Sequence, residues 1–180
     1  MGAALDKVLV LDLTSEFFTA VTAAMLGDFG AEVVRLDSGP LGGTQLADGD
    51  TSALANLESF ANRNKRTITV DVTSEGGRSL LQGIGAKADV LVTDRSEEEL
   101  GRLGLDEDTL RKVNPGLIYA VASGAGPGQA DTGLLPIDEL AAAGTGMMPI
   151  LGQPGQPPVF PGHGQMYIPV MLAFAISVAL

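Results

Sequence analysis

Lys7–Leu13 reads KVLVLDL, and this stretch decides the fold class. It is apolar at nearly every position, the pattern of a strand in a parallel sheet covered on both faces. Working outward, Phe17–Phe29 carries Ala20, Ala23, Ala24 and Leu26 at helical spacing, and Gly30 stands where a helix is commonly closed. Ala31–Leu36 (AEVVRL) is a second strand, and Asp37–Asp50, with five Gly or Pro, is a loop. Thr67–Val72 (TITVDV) alternates β-branched residues and is a third strand. Ser74–Ala88 is an amphipathic helix opened by Thr73 or Ser74 and weakened by Gly76, Gly77, Gly83 and Gly85. Asp89–Val92 is a fourth strand. Ser96 followed by Glu99 fits a capping box, and Asp106 opens a further short helix through Val113. Asn114-Pro115-Gly116 turns the chain into Leu117–Ala122, a fifth strand. Ser123–Gly133 is a Gly-rich loop, Pro136–Met147 a helix, and Met148–Gln165 a Pro/Gly-rich loop. Strands alternating with helices of these lengths predict right-handed crossovers and an α/β fold, a Rossmann-like parallel sheet flanked by helices. Residues 1–148 form the α/β domain on this reading. Residues 149–180 are a loop and an apolar helix leading to a partner chain or to a missing C-terminal half.

Composition narrows the function. The chain has 180 residues, 45% hydrophobic and 18% charged, which suits one folded domain and excludes disorder. Acids outnumber bases 22 to 11, so the clustered basic groups that a phosphate backbone requires are lacking, and no nucleic-acid partner is expected. The absence of Cys removes disulfides, thiolate ligands and Cys nucleophiles, and a single His (His163) gives no His-based zinc site. No metal is expected. MGAALDKVLV has no basic leader before an apolar stretch, and Asp6 stands where a myristoylation signal needs Ser or Thr. A cytoplasmic protein is the expectation.

The 41 residues from Leu140 to Leu180 contain no Asp, Glu, Lys or Arg. Free surfaces are rich in charge, so this quarter is expected to lie under protein beyond the first 139 residues, either a second subunit or a missing half. Met166–Leu180 (MYIPVMLAFAISVAL), as a helix, reaches about 22 Å, short of the roughly 30 Å hydrocarbon core, so no membrane partner is expected. Leu180 lacks the residues that close helices, which places it in mid-helix or at a contact surface.

Phosphate-binding signals are weak. Thr14–Ala20 (TSEFFTA) contains no Gly where a dinucleotide fingerprint would have three. Gly124-Ala125-Gly126-Pro127-Gly128 has backbone N–H groups suited to an anion, but no Lys-Ser/Thr follows, and a flexible turn explains it as well.

A set of motifs is more specific. Val10–Thr14 (VLDLT) is followed by Leu26–Val34 (LGDFGAEVV), then by Asn62-Arg63-Asn64-Lys65-Arg66 with Asp71. Next come Ala88–Val92 (ADVLV), Leu100–Leu105 (LGRLGL), Asn114–Ala120 (NPGLIYA) and the Pro157-Pro158-Val159 turn before the terminal apolar run. In order and spacing the chain resembles the N-terminal half of the family III CoA-transferases, which include formyl-CoA:oxalate and carnitine CoA-transferases and α-methylacyl-CoA racemase. The resemblance implies coenzyme A or an acyl-CoA as substrate. It also implies chains about twice this length, and an interlocked homo- or hetero-oligomer.

It further implies covalent acyl transfer. An Asp carboxylate attacks the thioester carbonyl and expels the CoA thiolate, leaving an acyl–aspartyl anhydride; the thiolate then forms an aspartyl-CoA thioester and frees the acyl carboxylate. The family's Gly-Asp step falls on Gly164-Gln165, and the neutral amide of Gln165 cannot act as that nucleophile. An oxyanion donor or a substrate amide contact is the role left to Gln165. The racemase branch's His falls on Ile137 and its neighbouring acid on Asp138, an acid/base candidate that more simply suits the start of a helix. His163 lies beside the catalytic step but at neither catalytic position.

The implied CoA-binding positions are Phe17 and Phe18, in the loop that the family writes Ala-Gly-Pro, Asp94 and Arg95 after the fourth strand, and Arg102. Glu97 and Glu98 stand where acids would repel a nucleotide phosphate, and Ser38 and Thr73 replace basic residues of relatives. Arg102 has a forked donor for a pyrophosphate, or else pairs with Glu98 or Glu99 on the surface. Asn62–Arg66 either holds a CoA phosphate or turns a helix into the third strand. Three functions stay open: an acyl-CoA-handling chain acting with a partner, a non-catalytic scaffold subunit of a CoA-transferase complex, and a repurposed α/β binding module.

Overall fold

A computed structural model of the chain describes residues 2–37, 51–122, 152–159 and 164–180, with single positions at 143, 146, 148 and 150. Five strands make one parallel sheet: β1 (Leu9–Leu13), β2 (Glu32–Leu36), β3 (Lys65–Ile68), β4 (Val90–Thr93) and β5 (Ile118–Val121). Their order is β3-β2-β1-β4-β5, so the strand first recognised from its apolar run lies at the centre. Leu11 and Leu13 point to one face and Val10 to the other, and all three are buried.

The two faces are covered by different helices. On one, Leu11, Leu13 and Leu91 pack beneath α3 (Glu75–Gly85), α4 (Glu97–Leu103) and α5 (Glu107–Val113), which contribute Leu81, Leu100 and Leu110. These helices begin as the local sequence requires: Ser74 accepts from Gly77 N, Ser96 from Glu99 N and Asp106 from Thr109 N. Gly104, at φ 66, closes α4 in the left-handed conformation. On the other face, Val10, Val33, Val90 and Val92 pack against α1 (Phe17–Asp28) and α6 (Ile168–Ala179).

Three expectations change. The third strand pairs over Lys65–Ile68, not Thr67–Val72, because the turn at Asn64 (φ 61) delivers the chain into register with Val33 immediately. Val70 still enters the core, but without a strand partner. Helix α2 (Thr51–Ala61) was not expected, although Ala, Leu and Glu favour it. Finally, α6 is not covered only by protein beyond residue 139. Its Pro169, Ala173 and Ile176 are buried in this chain, where Ala173 and Ile176 meet Ala23 and Leu26 of α1, whose small residues allow close approach. Its other stripe, Val170, Met171, Phe174 and Val178, faces out. No helix among the described residues is long and apolar enough to cross a membrane. The expected loop Ser123–Gly133 and helix Pro136–Met147 lie outside the described residues, apart from position 143 and position 146.

Gly27 and Gly30 explain the Leu-Gly-Asp-Phe-Gly motif. A Cβ at Gly27 would come within 3.0 Å of the Asn64 side chain, and Gly30 has φ 101 with Ala3 pressed against it. Between them Asp28 accepts from Arg63 Nε (3.2 Å), Arg63 Nη2 (2.5 Å) and Asn64 Nδ2 (2.5 Å). The two motifs are thereby fastened to each other.

Candidate functional site

In this strand order the chain leaves β1 toward β2 and β3, then crosses back to β4 and β5. The crevice at the carboxyl ends of β1 and β4 is therefore the switch point, where open parallel sheets bind ligands. Thr14–Phe17 leave β1 there, and Asp94 and Arg95 leave β4 beside them.

Asp94 is buried and commits both oxygens. Oδ1 accepts from Ser15 N (2.8 Å) and Ser15 Oγ (2.9 Å), and Oδ2 from Glu16 N (2.8 Å). Glu16, the residue before α1, supplies no side-chain cap, so the helix is capped from across the sheet. In a nucleotide-binding Rossmann unit the N–H groups of this turn receive the pyrophosphate. Here a protein carboxylate holds them. Burial raises the Asp94 carboxyl above its ordinary range, opposed by the hydrogen bonds from Glu16 and Ser15. Glu16 is likewise raised, by burial and by the charge of Asp94.

Arg95 turns inward. Its Nε donates to Leu13 O (2.8 Å) and its Nη1 to Glu99 (2.9 Å), bracing β1 against α4. Arg102 pairs with Glu98 one turn earlier on an exposed helix surface. Phe17 and Phe18 open α1, their rings edge to face at 5.1 Å. Phe17 also faces Phe60 of α2, with ring centroids 6.4 Å apart. Gln165 lies in the 3-10 turn Gly164–Tyr167 that leads into α6. Asp138, Ile137, His163 and the Gly124–Gly128 loop lie outside the described residues.

The structure joins two of the sequence motifs in a buried pair that the sequence did not predict. Lys65 Nζ meets Asp12 Oδ2 at 2.6 Å, with both side chains 0% exposed, and also donates to Ala20 O and Asn62 Oδ1. Asp12 additionally accepts from Thr14 N and Oγ1. Burial lowers the Lys65 ammonium below its ordinary range, and Asp12 opposes the shift. Arg35, buried on the neighbouring strand, lies 4.0 Å from Glu58. A carboxylate inside an otherwise apolar strand was the signal for such a pair. The Asn62–Arg66 stretch thus serves as a structural turn: Arg63 holds Asp28, Lys65 holds Asp12 and Arg66 holds Glu32.

A broad open groove lies elsewhere, over β2, β3 and α3, lined by Val34, Ile68, Leu80 and Ile84. Its charged members are Glu32 and Arg66, which pair with each other, and Lys87.

The model of CoA-transferase family III matches residues 5–180. The chain belongs to this family. An acyl-CoA transferase of Fusarium pseudograminearum is 33% identical over 174 residues, covering 89% of this chain and 38% of the relative. A succinyl-CoA:mesaconate CoA-transferase of Haloarcula hispanica is 33% identical over 191 residues, covering 100% and 48%. Among solved structures, a CAIB/BAIF family protein from Brucella suis superposes with a TM-score of 0.81 at 27% identity, over 99% of this chain and 49% of that one. The chain spans about half the length, or less, of these family III relatives.

Proposed function

We propose that the chain is an acyl-CoA-handling part of a family III CoA-transferase assembly, whose site is completed by further protein. The observation that carries this is the family match over nearly the whole chain combined with half the relatives' length. Two features of the fold support it. The switch-point crevice gathers Phe17, Phe18, Asp94 and Arg95 beside the carboxyl ends of β1 and β4. The outer stripe of α6 presents Met171, Phe174 and Val178 for cover by another chain.

In this reading Phe17 and Phe18 flank the CoA. Asp94 and Arg95 shape the crevice from behind, since each is held by protein atoms. Arg102, already paired with Glu98, is a weaker phosphate ligand than the resemblance implies. Gln165 occupies the nucleophile position and, as an amide, orients a carbonyl rather than attacking it. Titration of CoA by calorimetry tests the reading directly; binding supports it, and its absence in the assembly in which the protein purifies removes it. Gln165→Asp probes the chemistry: an acyl-enzyme adduct after mixing with an acyl-CoA, seen by mass spectrometry, is the expected result.

A non-catalytic scaffold is the second reading, favoured by Gln165 itself. It predicts co-purification with a catalytic relative whose rate is indifferent to Gln165→Ala.

A further inference from the structure

An aromatic ledge stands at the switch point. Phe17, the first residue of α1, faces Phe60 of α2 with planes 25° apart, and Phe18 meets Phe17 edge-on. Phe60 is 52% exposed, and Leu57, one turn earlier on the same side of α2, is 43% exposed. Arg63 lies over the Phe60 ring, 4.5 Å from its centroid, tied there by Asp28. The ledge is apolar, rigidly backed and open to ligand.

Its electrostatic surroundings are one-sided. Glu16 precedes Phe17, and Asp94 lies against the same turn. The basic groups nearby each face an acid: Lys65 faces Asp12, Arg63 Asp28, Arg95 Glu99, and the buried Arg35 lies 4.0 Å from Glu58. A carboxylate brought to the ledge would lose water against rings and leucine, beside acids, and would have to compete with an acid for each nearby cation, Arg63 included. A hydrocarbon chain gains about fourfold in affinity for each methylene it buries.

We propose that this ledge selects the acyl group, taking an uncharged apolar acyl chain and rejecting the monothioester of a dicarboxylic acid. The proposal rests on the acyl-CoA reading above and names its substrate class. Phe60 and Leu57 are the specificity determinants, and Phe17 is the ring against which Phe60 is set.

The test compares CoA, octanoyl-CoA and succinyl-CoA by calorimetry, on the protein in the assembly in which it purifies and on its Phe60→Lys and Leu57→Lys variants. Both positions are half exposed, and two variants are used so that a folding defect in one leaves the other informative. Octanoyl-CoA is expected to bind at least about tenfold tighter than succinyl-CoA. Each lysine is expected to narrow that ratio by about tenfold or more, by giving the distal carboxylate a partner. Equal affinities for the two thioesters, with CoA itself bound, would overturn the ledge while leaving the acyl-CoA reading in place. A ratio unmoved by both lysines would do the same. If neither CoA nor either thioester binds, the acyl-CoA reading falls and the ledge with it.

Discussion

The two faces of the sheet are finished in different ways. Beneath α3, α4 and α5 the contact is made by leucines, and each helix carries its own cap. Beneath α1 and α6 it is made by Val and Ala; neither helix has a capping side chain at its own N-terminus, and α6 is apolar all round. Over β1 and β4 the first face is closed by α3, α4 and α5, and it stays open over β2 and β3 beside α3. Helices that are hydrophobic on every side belong between two layers, which fits the proposal that further protein covers the second face. The α1 face also holds the Asp12–Lys65 pair and, at its rim, the aromatic ledge. Sequence that closes a core and sequence that prepares a site are thus on opposite sides of one sheet.

The largest effect expected is at the buried pair. Lys65→Met strands a desolvated carboxylate and should cost about 3–5 kcal/mol in urea unfolding, while adding Asp12→Leu should recover most of the loss. Its pH dependence has a definite sign. Because burial lowers the folded-state value of Lys65 below 10.5, the unfolded chain binds the proton more readily in the window just beneath 10.5. Lys65 therefore contributes a rise in stability as pH climbs through that window, and the double variant should lack it.

On the closed face, Leu91→Ala empties a fully buried site and should cost about 2–5 kcal/mol by the same measurement. A loss under 1 kcal/mol would mean that this face is not the finished core described.

Asp94→Asn should cost about 1–2 kcal/mol, by setting an amide against one of the N–H donors of the α1 turn. Since burial raises Asp94 in the folded state, its stabilising share is complete below the ordinary 3.8 and is lost as pH rises through the higher folded value. Thermal melting of the Asp94→Asn variant should be flatter across that interval than that of the natural protein.

Ser96→Ala removes one local cap and should cost about 1 kcal/mol. At the small end, Phe174→Glu on the outer stripe of α6 should change unfolding by no more than about 0.5 kcal/mol within this chain. The same change should lower the mass seen by light scattering if the stripe is covered by a second chain. An unchanged mass would mean that the cover lies elsewhere.

The local and periodic parts of this protein were determined by sequence alone. Five strands, the caps at Ser74, Ser96 and Asp106, and a family-wide motif order could be read because caps act over three residues and periodicity over one or two turns. Helix α2 and the true start of β3 escaped because their signals are a single left-handed Asn64 and a register fixed by the neighbouring strand. Asp94 capping a helix from a point 78 residues beyond its N-cap residue Glu16, Lys65 reaching Asp12 across 53 residues, and Phe17 meeting Phe60 were decided only in three dimensions. Such contacts leave no period in a sequence: they arise when parallel crossovers bring distant carboxyl ends of strands to one edge, and there desolvation makes each charge take a partner.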